Sequence, residues 1–478
     1  MTTSVKTSSS ISHRFPYGGL FILSVAVFIS VTAEMMPTGL LPQMSSELGV
    51  SEAQIGLLVT FFALSVVVTS VPLVSLTRRF SRHGLIVAVL IVVSLASLLS
   101  ALSPSYEWLV GARILGGIAH GLFWAVVGAY SGHLVAKEHI GRAVAIITSG
   151  GTLAFVLGVP LATVVGQSFG WRVPFAAVSV LGVCAAVLIL KFLPRVSTPE
   201  HTKKDARSAS EPRRRRSDAG LGAVVLVCVT TAVIMVGHYA LYTYITPFLT
   251  TRLGIAPEHV GAVLFANGAG GAVGLALVAL LFGRRPMLGI VLGVLVTGVV
   301  VSVLAVFSAN TGLSIAAIII WGMSFGLLPS LLQARLLHVA SARIRDTAVA
   351  FFSTSFNVGI AAGAVLGGAL LSSRGLSSLP FANLALLSVA AVLLLGSVLS
   401  AHRRRGRMFG PTADEEVVGV AVGAAAVTGE SIAGGAGTSA RREGEVVMGA
   451  VVESDQAWGS KTTVTDAVGP NQPVDGSV

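Results

Sequence analysis

Gly117-Ile118-Ala119-His120-Gly121-Leu122 and Gly322-Met323-Ser324-Phe325-Gly326-Leu327 set two glycines and a leucine at the same spacing, 205 residues apart. The register holds on both sides of that stretch. Pro42 falls on Pro247, Leu48-Gly49-Val50 on Leu253-Gly254-Ile255, Ile55-Gly56 on Val260-Gly261, Ala143-Val144-Ala145 on Ala348-Val349-Ala350, and Gly158 on Gly363. A gapless parallel repeat in an apolar chain describes two copies of one membrane bundle facing each other, the layout of secondary transporters.

Composition agrees. Of 478 residues, 54% are hydrophobic and 11% charged, against roughly 25% charged in soluble domains. Twelve apolar runs approach the roughly 20 residues that cross a bilayer as helix. They fall near 18–41, 55–76, 84–102, 108–130, 143–165, 173–193, 221–248, 260–282, 287–307, 313–334, 348–371 and 379–399. None alternates with period two, so barrel strands are excluded and an all-α membrane fold is expected. The runs divide the chain into an N-tail 1–17, a six-helix bundle 18–194, a basic linker 195–218, a second bundle 219–401 and a tail 402–478. Linker and tail have no hydrophobic periodicity and read as disordered.

The net charge of +11 orients the chain rather than marking a nucleic-acid binder. With both termini in the cytoplasm, the basic residues gather inside, at Arg78/Arg79/Arg82, Lys203/Lys204, Arg213–Arg216, Arg284/Arg285 and in the C-tail. Outer loops keep Arg172, Arg252 and Arg374, and Arg113 lies within a span. The flipped topology inverts that bias. Cys184 and Cys228 lie inside spans and read as buried thiols without a disulfide or metal role. The first apolar run is long enough to remain as an anchor rather than a cleaved signal.

The motifs resemble the major facilitator superfamily. They are Thr32-Ala33-Glu34-Met35-Met36-Pro37-Thr38-Gly39 in the first span, Arg113-Ile114-Leu115-Gly116-Gly117 through Trp124 in the fourth, and Gly158-Val159-Pro160 in the fifth. His238-Tyr239 with Tyr242 in the seventh and Phe356-Asn357-Val358-Gly359 in the eleventh complete them. The chain is most similar to twelve-helix drug and sugar:proton antiporters, nearest the bacterial sugar-efflux, arabinose-exporter-like branch. Two motifs depart from the family pattern. Val74 and Arg78 replace the usual Gly and Asp before a basic cluster held here by Arg79 and Arg82. Gly158-Val159-Pro160 is one residue longer than the usual Gly-Pro.

Glu34 is the carboxylate well inside a span of the first half. An ionised side chain near mid-bilayer costs roughly 2.5–3.5 kcal/mol, so a carboxyl that trades its proton as water reaches it suits a proton carrier. Arg113 cannot shed its charge and needs a carboxylate, a carbonyl or a polar cavity; the resemblance gives it a part in proton coupling. His120, seven residues on, shares its helix face and suits a relay. Each also has a packing or clamping alternative. His238 and Tyr242, four apart, point together and suit a hydroxylated or amide-bearing solute; Asn357 and Gln333 are further candidates for substrate contact. Gly117, Gly121, Gly150, Gly158 and Pro160 suit close helix approach and bending, with Arg79 and Arg82 at the gate.

Walker, His-Glu-x-x-His and nucleophile-elbow motifs are absent from the sequence. The expected function is therefore non-enzymatic and cofactor-free: export of sugars, sugar-like solutes or drugs across the bacterial cell membrane by a monomer, driven by inward proton flow. An importer or a facilitator of the same fold is the alternative.

Overall fold

The computed structural model describes residues 16–135, 139–193, 220–283, 285–341 and 344–408. Among these residues, twelve helices are long and apolar enough to cross a membrane. They are α1 Tyr17–Leu48, α2 Glu52–Leu76, α3 Arg82–Ala101, α4 Tyr106–Gly128, α5 Arg142–Phe169, α6 Arg172–Phe192, α7 Leu221–Tyr242, α8 Pro257–Phe282, α9 Pro286–Val306, α10 Thr311–Val339, α11 Thr347–Arg374 and α12 Ser378–Gly396. The helical path of the last continues to Met408, past the boundary at 401 expected from hydropathy, because its arginines are good helix formers outside an apolar run. These helices form one compact unit that ends at Gly406. The linker 195–218 and the tail beyond Met408 lie outside the described residues.

The helix ends follow local chemistry. Ser51 and Gln54 close a reciprocal capping box on α2. Ser81, Ser105 and Asn310 each accept a backbone N–H at the starts of α3, α4 and α10. α1 stops at Gly49, whose φ of 66° is left-handed; Gly254 has the same φ. The other two positive-φ glycines, Gly170 at 91° and Gly375 at 78°, are also 205 residues apart. Left-handed glycines thus stand at matching positions of the 205-residue register.

Within each set of six, packing follows small residues. A Cβ on Gly117 of α4 would run into the Phe62 carbonyl of α2; a Cβ on Gly322 of α10 would run into the Asn267 carbonyl of α8. Both members of the second contact lie 205 residues after those of the first. Without a hydrophobic drive between helices in lipid, such backbone contact and its dispersion energy hold the bundle. Across the two sets, α2 packs on α11, and α5 on α8. Large apolar side chains such as Leu76, Phe169 and Leu280 stay exposed, the face that lipid covers. Cys228 is buried, but Cys184, expected to be buried too, is exposed on α6, because its position in the turn faces away from α3.

Candidate functional site

α1 is the most enclosed helix and contains Pro37 and Pro42. A proline has no N–H for the carbonyl four residues back, so the Ala33 and Thr38 carbonyls need other donors. Both find one from another helix. Arg113 of α4 donates from one guanidinium nitrogen to Ala33 O and from the other to Glu34 O, each at 2.6 Å. Thr246, just after α7, donates its hydroxyl to Thr38 O at 2.8 Å. The proline spacing in α1 therefore dictates where an arginine and a cross-bundle threonine must dock.

The arginine is 3% exposed, and its guanidinium carbon lies 4.3 Å from the centre of the Phe62 ring, a cation–π contact made strong by burial. Its hydrogen bonds go to backbone rather than to the Glu34 carboxylate. That carboxylate meets His120 instead: Glu34 Oε2 lies 3.3 Å from His120 Nε2. His120 is held on both edges, with Nδ1 2.8 Å from Ser30 Oγ and Nε2 accepting the Trp124 indole N–H at 2.8 Å. Among the described residues no other Asp or Glu is buried. The three residues expected to handle protons are thus brought together in one half.

The four expected substrate contacts are not. Asn357 and Gln333 line a cavity of about 570 Å³ between the two sets of helices, facing Ser70, Gly121 and Trp124; Asn357 also donates to Ser353 O at 3.0 Å. Among the described residues that line it, none carries a formal charge. His238 and Tyr242 lie elsewhere, packed in aromatic rings. His238 stacks on Phe325 at 4.0 Å between centroids and lies 4.7 Å from Trp321, while Phe155 of α5 meets both Tyr242 and Phe325 edge-on. The four-residue spacing put His238 and Tyr242 together correctly, but inside a closed aromatic cluster rather than on the cavity wall.

The cavity lies at the end of the bundle where α2 runs into the turn Thr77–Arg79, with Arg79 exposed and Arg82 half-buried beside it. The other end is shut. Tyr244 wedges against Gly56 of α2 and donates to Ala364 O of α11 at 2.8 Å, and Thr60 donates to Ala361 O at 3.1 Å. Gly150 and Gly158 of α5 press on Ser24 and Thr32 of α1. Between Leu153 and Val159 the helix widens into a π turn, Ala154–Gly158, where Pro160 has no N–H for the Val156 carbonyl.

Known proteins share this architecture of twelve membrane-crossing helices. The model of the Major Facilitator Superfamily matches residues 23–345 and 227–439. The chain belongs to that superfamily. A chloramphenicol efflux pump of Mycobacterium tuberculosis is 34% identical over 398 residues, covering 80% of this chain and 92% of the relative. A probable sugar efflux transporter of Mannheimia succiniciproducens is 27% identical, covering 80% and 94%. The fold also matches solved facilitators. A bacterial homolog of the human lysosomal transporter Spinster, in an inward-facing state, has a TM-score of 0.61 at 18% identity over 80% of this chain and 97% of that one. A POT family transporter has a TM-score of 0.66 at 11% identity over 82% and 96%. As a superfamily member, the chain is a multi-pass membrane protein that moves small organic solutes.

The structure joins Glu34, Arg113 and His120, which the sequence singles out, to Ser30, Phe62 and Trp124, and α1 to Thr246, contacts that the sequence reading did not assign. A signal existed for two of them: Trp124 is one helical turn beyond His120, and Pro42 leaves Thr38 O in need of a donor.

Proposed function

We propose that this facilitator exports uncharged, amphipathic organic molecules by proton antiport with alternating access. The observation that carries this reading is the buried Glu34–His120 pair, one residue's thickness (Trp124) from a cavity whose described lining residues are uncharged. Hydroxyls and amides at Ser70, Ser353, Gln333 and Asn357 on an otherwise apolar wall suit a neutral solute with a few polar groups. The names of the efflux relatives, a chloramphenicol pump and a probable sugar exporter, point the same way. With both termini in the cytoplasm, the orientation that the basic loops favour, the cavity opens inward and the Tyr244 end faces out. Glu34, Arg113 and His120 carry the proton, Asn357 and Gln333 touch solute, and the Gly117/Gly121 and Gly150/Gly158/Pro160 contacts are where helices slide and bend. The transporter works as a monomer in the cell membrane.

The energetics suffice. One proton crossing 100 mV supplies about 2.3 kcal/mol, and one pH unit adds about 1.4 kcal/mol. For one-to-one exchange with a neutral solute, roughly 3.7 kcal/mol sustains a gradient of a few hundred-fold. In proteoliposomes with an imposed pH gradient, Glu34→Gln is expected to lose driven chloramphenicol transport while retaining counterflow of solute for solute. Driven transport at the wild-type rate in that variant removes Glu34 from the mechanism.

A further inference from the structure

The indole of Trp124 has a proton to give and nothing with which to accept one. Its 2.8 Å contact with His120 Nε2 therefore requires a lone pair on Nε2. The ring's proton then sits on Nδ1 and is donated to Ser30 Oγ, also at 2.8 Å. Glu34 Oε2 stands 3.3 Å from the same Nε2. A proton placed between Glu34 and His120, bonded to either atom, uses the lone pair that the indole now holds. The two hydrogen bonds exclude each other.

An unseated indole has one direction to go. His120 and Phe123 fill its inner sides, with ring centroids at 6.2 and 6.3 Å, while its remaining side forms part of the cavity wall beside Ser70 and Gly121. The free space is the cavity. We propose that Trp124 is the positioning residue that couples proton to solute. Seated on neutral His120, the indole leaves the cavity open; a proton shared by Glu34 and His120 drives it into the volume that solute needs. Solute held against the indole keeps it seated and so disfavours that proton. Competition of this kind is what antiport demands, since proton and solute must not ride together. The inference rests on the antiport reading above and assigns its coupling step to one hydrogen bond.

Among the described residues, the charged groups around this ring are few. Glu34 comes from α1 and Arg113 from α4, the latter fixed on backbone carbonyls. α2 contributes the Phe62 ring. α3 brings His83 beside Tyr130, nearly three turns further along α4, and α5 brings Arg142 beside Tyr17. From the second set, α7 contributes the buried Tyr239.

Indole ¹⁵N–¹H spectra of the purified full chain in nanodiscs test the proposal without any solute. The chain has five tryptophans, and Trp124→Phe identifies the signal by its loss. The expected result is an upfield move of that signal as pH falls from 8 to 5, absent in Glu34→Gln. A signal unmoved over that range overturns the proposal. Chloramphenicol binding gives a second reading: wild-type affinity is expected to weaken about tenfold between pH 8 and 5, and Trp124→Phe to shrink that ratio below about threefold. An undiminished ratio in Trp124→Phe overturns it too. Wild-type vesicles that move no protons when chloramphenicol is added sink the antiport reading instead, whatever the indole does.

Discussion

The two six-helix sets share their turns and their glycine contacts but not their chemistry. Gly117 on the Phe62 carbonyl and Gly322 on the Asn267 carbonyl are the same contact made twice. Yet where the first set has Glu34, Arg113 and His120, the equivalent positions of the second have Tyr239, Ile318 and Phe325. Asn267, at the position of Phe62, donates to the Ile318 carbonyl at 2.7 Å, so a neutral amide fills the place of a ring beneath a guanidinium. The second set then closes around His238 with Trp321, Phe325 and Tyr242. One scaffold holds buried charge in one copy and aromatic packing in the other. Packing by small residues is therefore common to both copies, while the buried charge is confined to one.

That separation is broken most severely at Arg113. Arg113→Ile, which installs the residue of the other copy, leaves Ala33 O and Glu34 O without their donor and Glu34 without a nearby cation. Removing one partner from a buried charged set costs roughly 3–5 kcal/mol, read as a fall in the thermal midpoint of the purified transporter together with loss of driven transport. If Pro37 is the reason an arginine is required, Pro37→Ala restores a backbone N–H to Ala33 O and recovers part of the loss. Coupling of about 1–3 kcal/mol between the two substitutions is expected. Strict additivity shows that the guanidinium serves Glu34 alone.

A milder test addresses what the copies share. Gly117→Ala and Gly322→Ala each push a methyl group onto a backbone carbonyl that no rotamer change can move, a cost of roughly 1–3 kcal/mol for overpacking. Equal losses of stability are expected from the two, with no dependence on pH. A clear inequality would mean that the charged set contributes to packing in its own half.

Legibility followed the same division. The twelve helices and the shared face of Arg113 and His120 were open to reading because each rests on local periodicity, about 20 apolar residues per span and seven residues between Arg113 and His120, whereas the approach of Glu34 from α1 to that face was not. What stayed hidden depended on contacts between distant segments. His238 and Tyr242 have the spacing of a cavity-lining pair, and nothing local to α7 reveals that Phe155 and Phe325 enclose them. Trp124 reads as one more interior aromatic until the structure aims its N–H at His120. Thr246 becomes meaningful only when Thr38, 208 residues earlier in the chain, is known to lack a backbone donor.

The smallest effect is expected where the copies agree most closely. Gly49 and Gly254 end α1 and the segment after α7 with φ of 66° in both, and a Cβ at either meets nothing within 4 Å. Space is therefore no obstacle, and the cost of a side chain is conformational alone. A non-glycine residue in left-handed backbone costs roughly 1–2 kcal/mol, with part returned because alanine restricts the unfolded chain. Gly49→Ala and Gly254→Ala should each lower stability by about 1 kcal/mol, indistinguishably, and transport rates should stay near wild type because neither turn touches the cavity or the Glu34 cluster. Asparagine, which tolerates this region better than alanine, should cost less at both sites. A large loss at Gly49 with none at Gly254 would tie the end of α1 to the chemistry of its own half, and the shared scaffold would then extend only to the helix interiors.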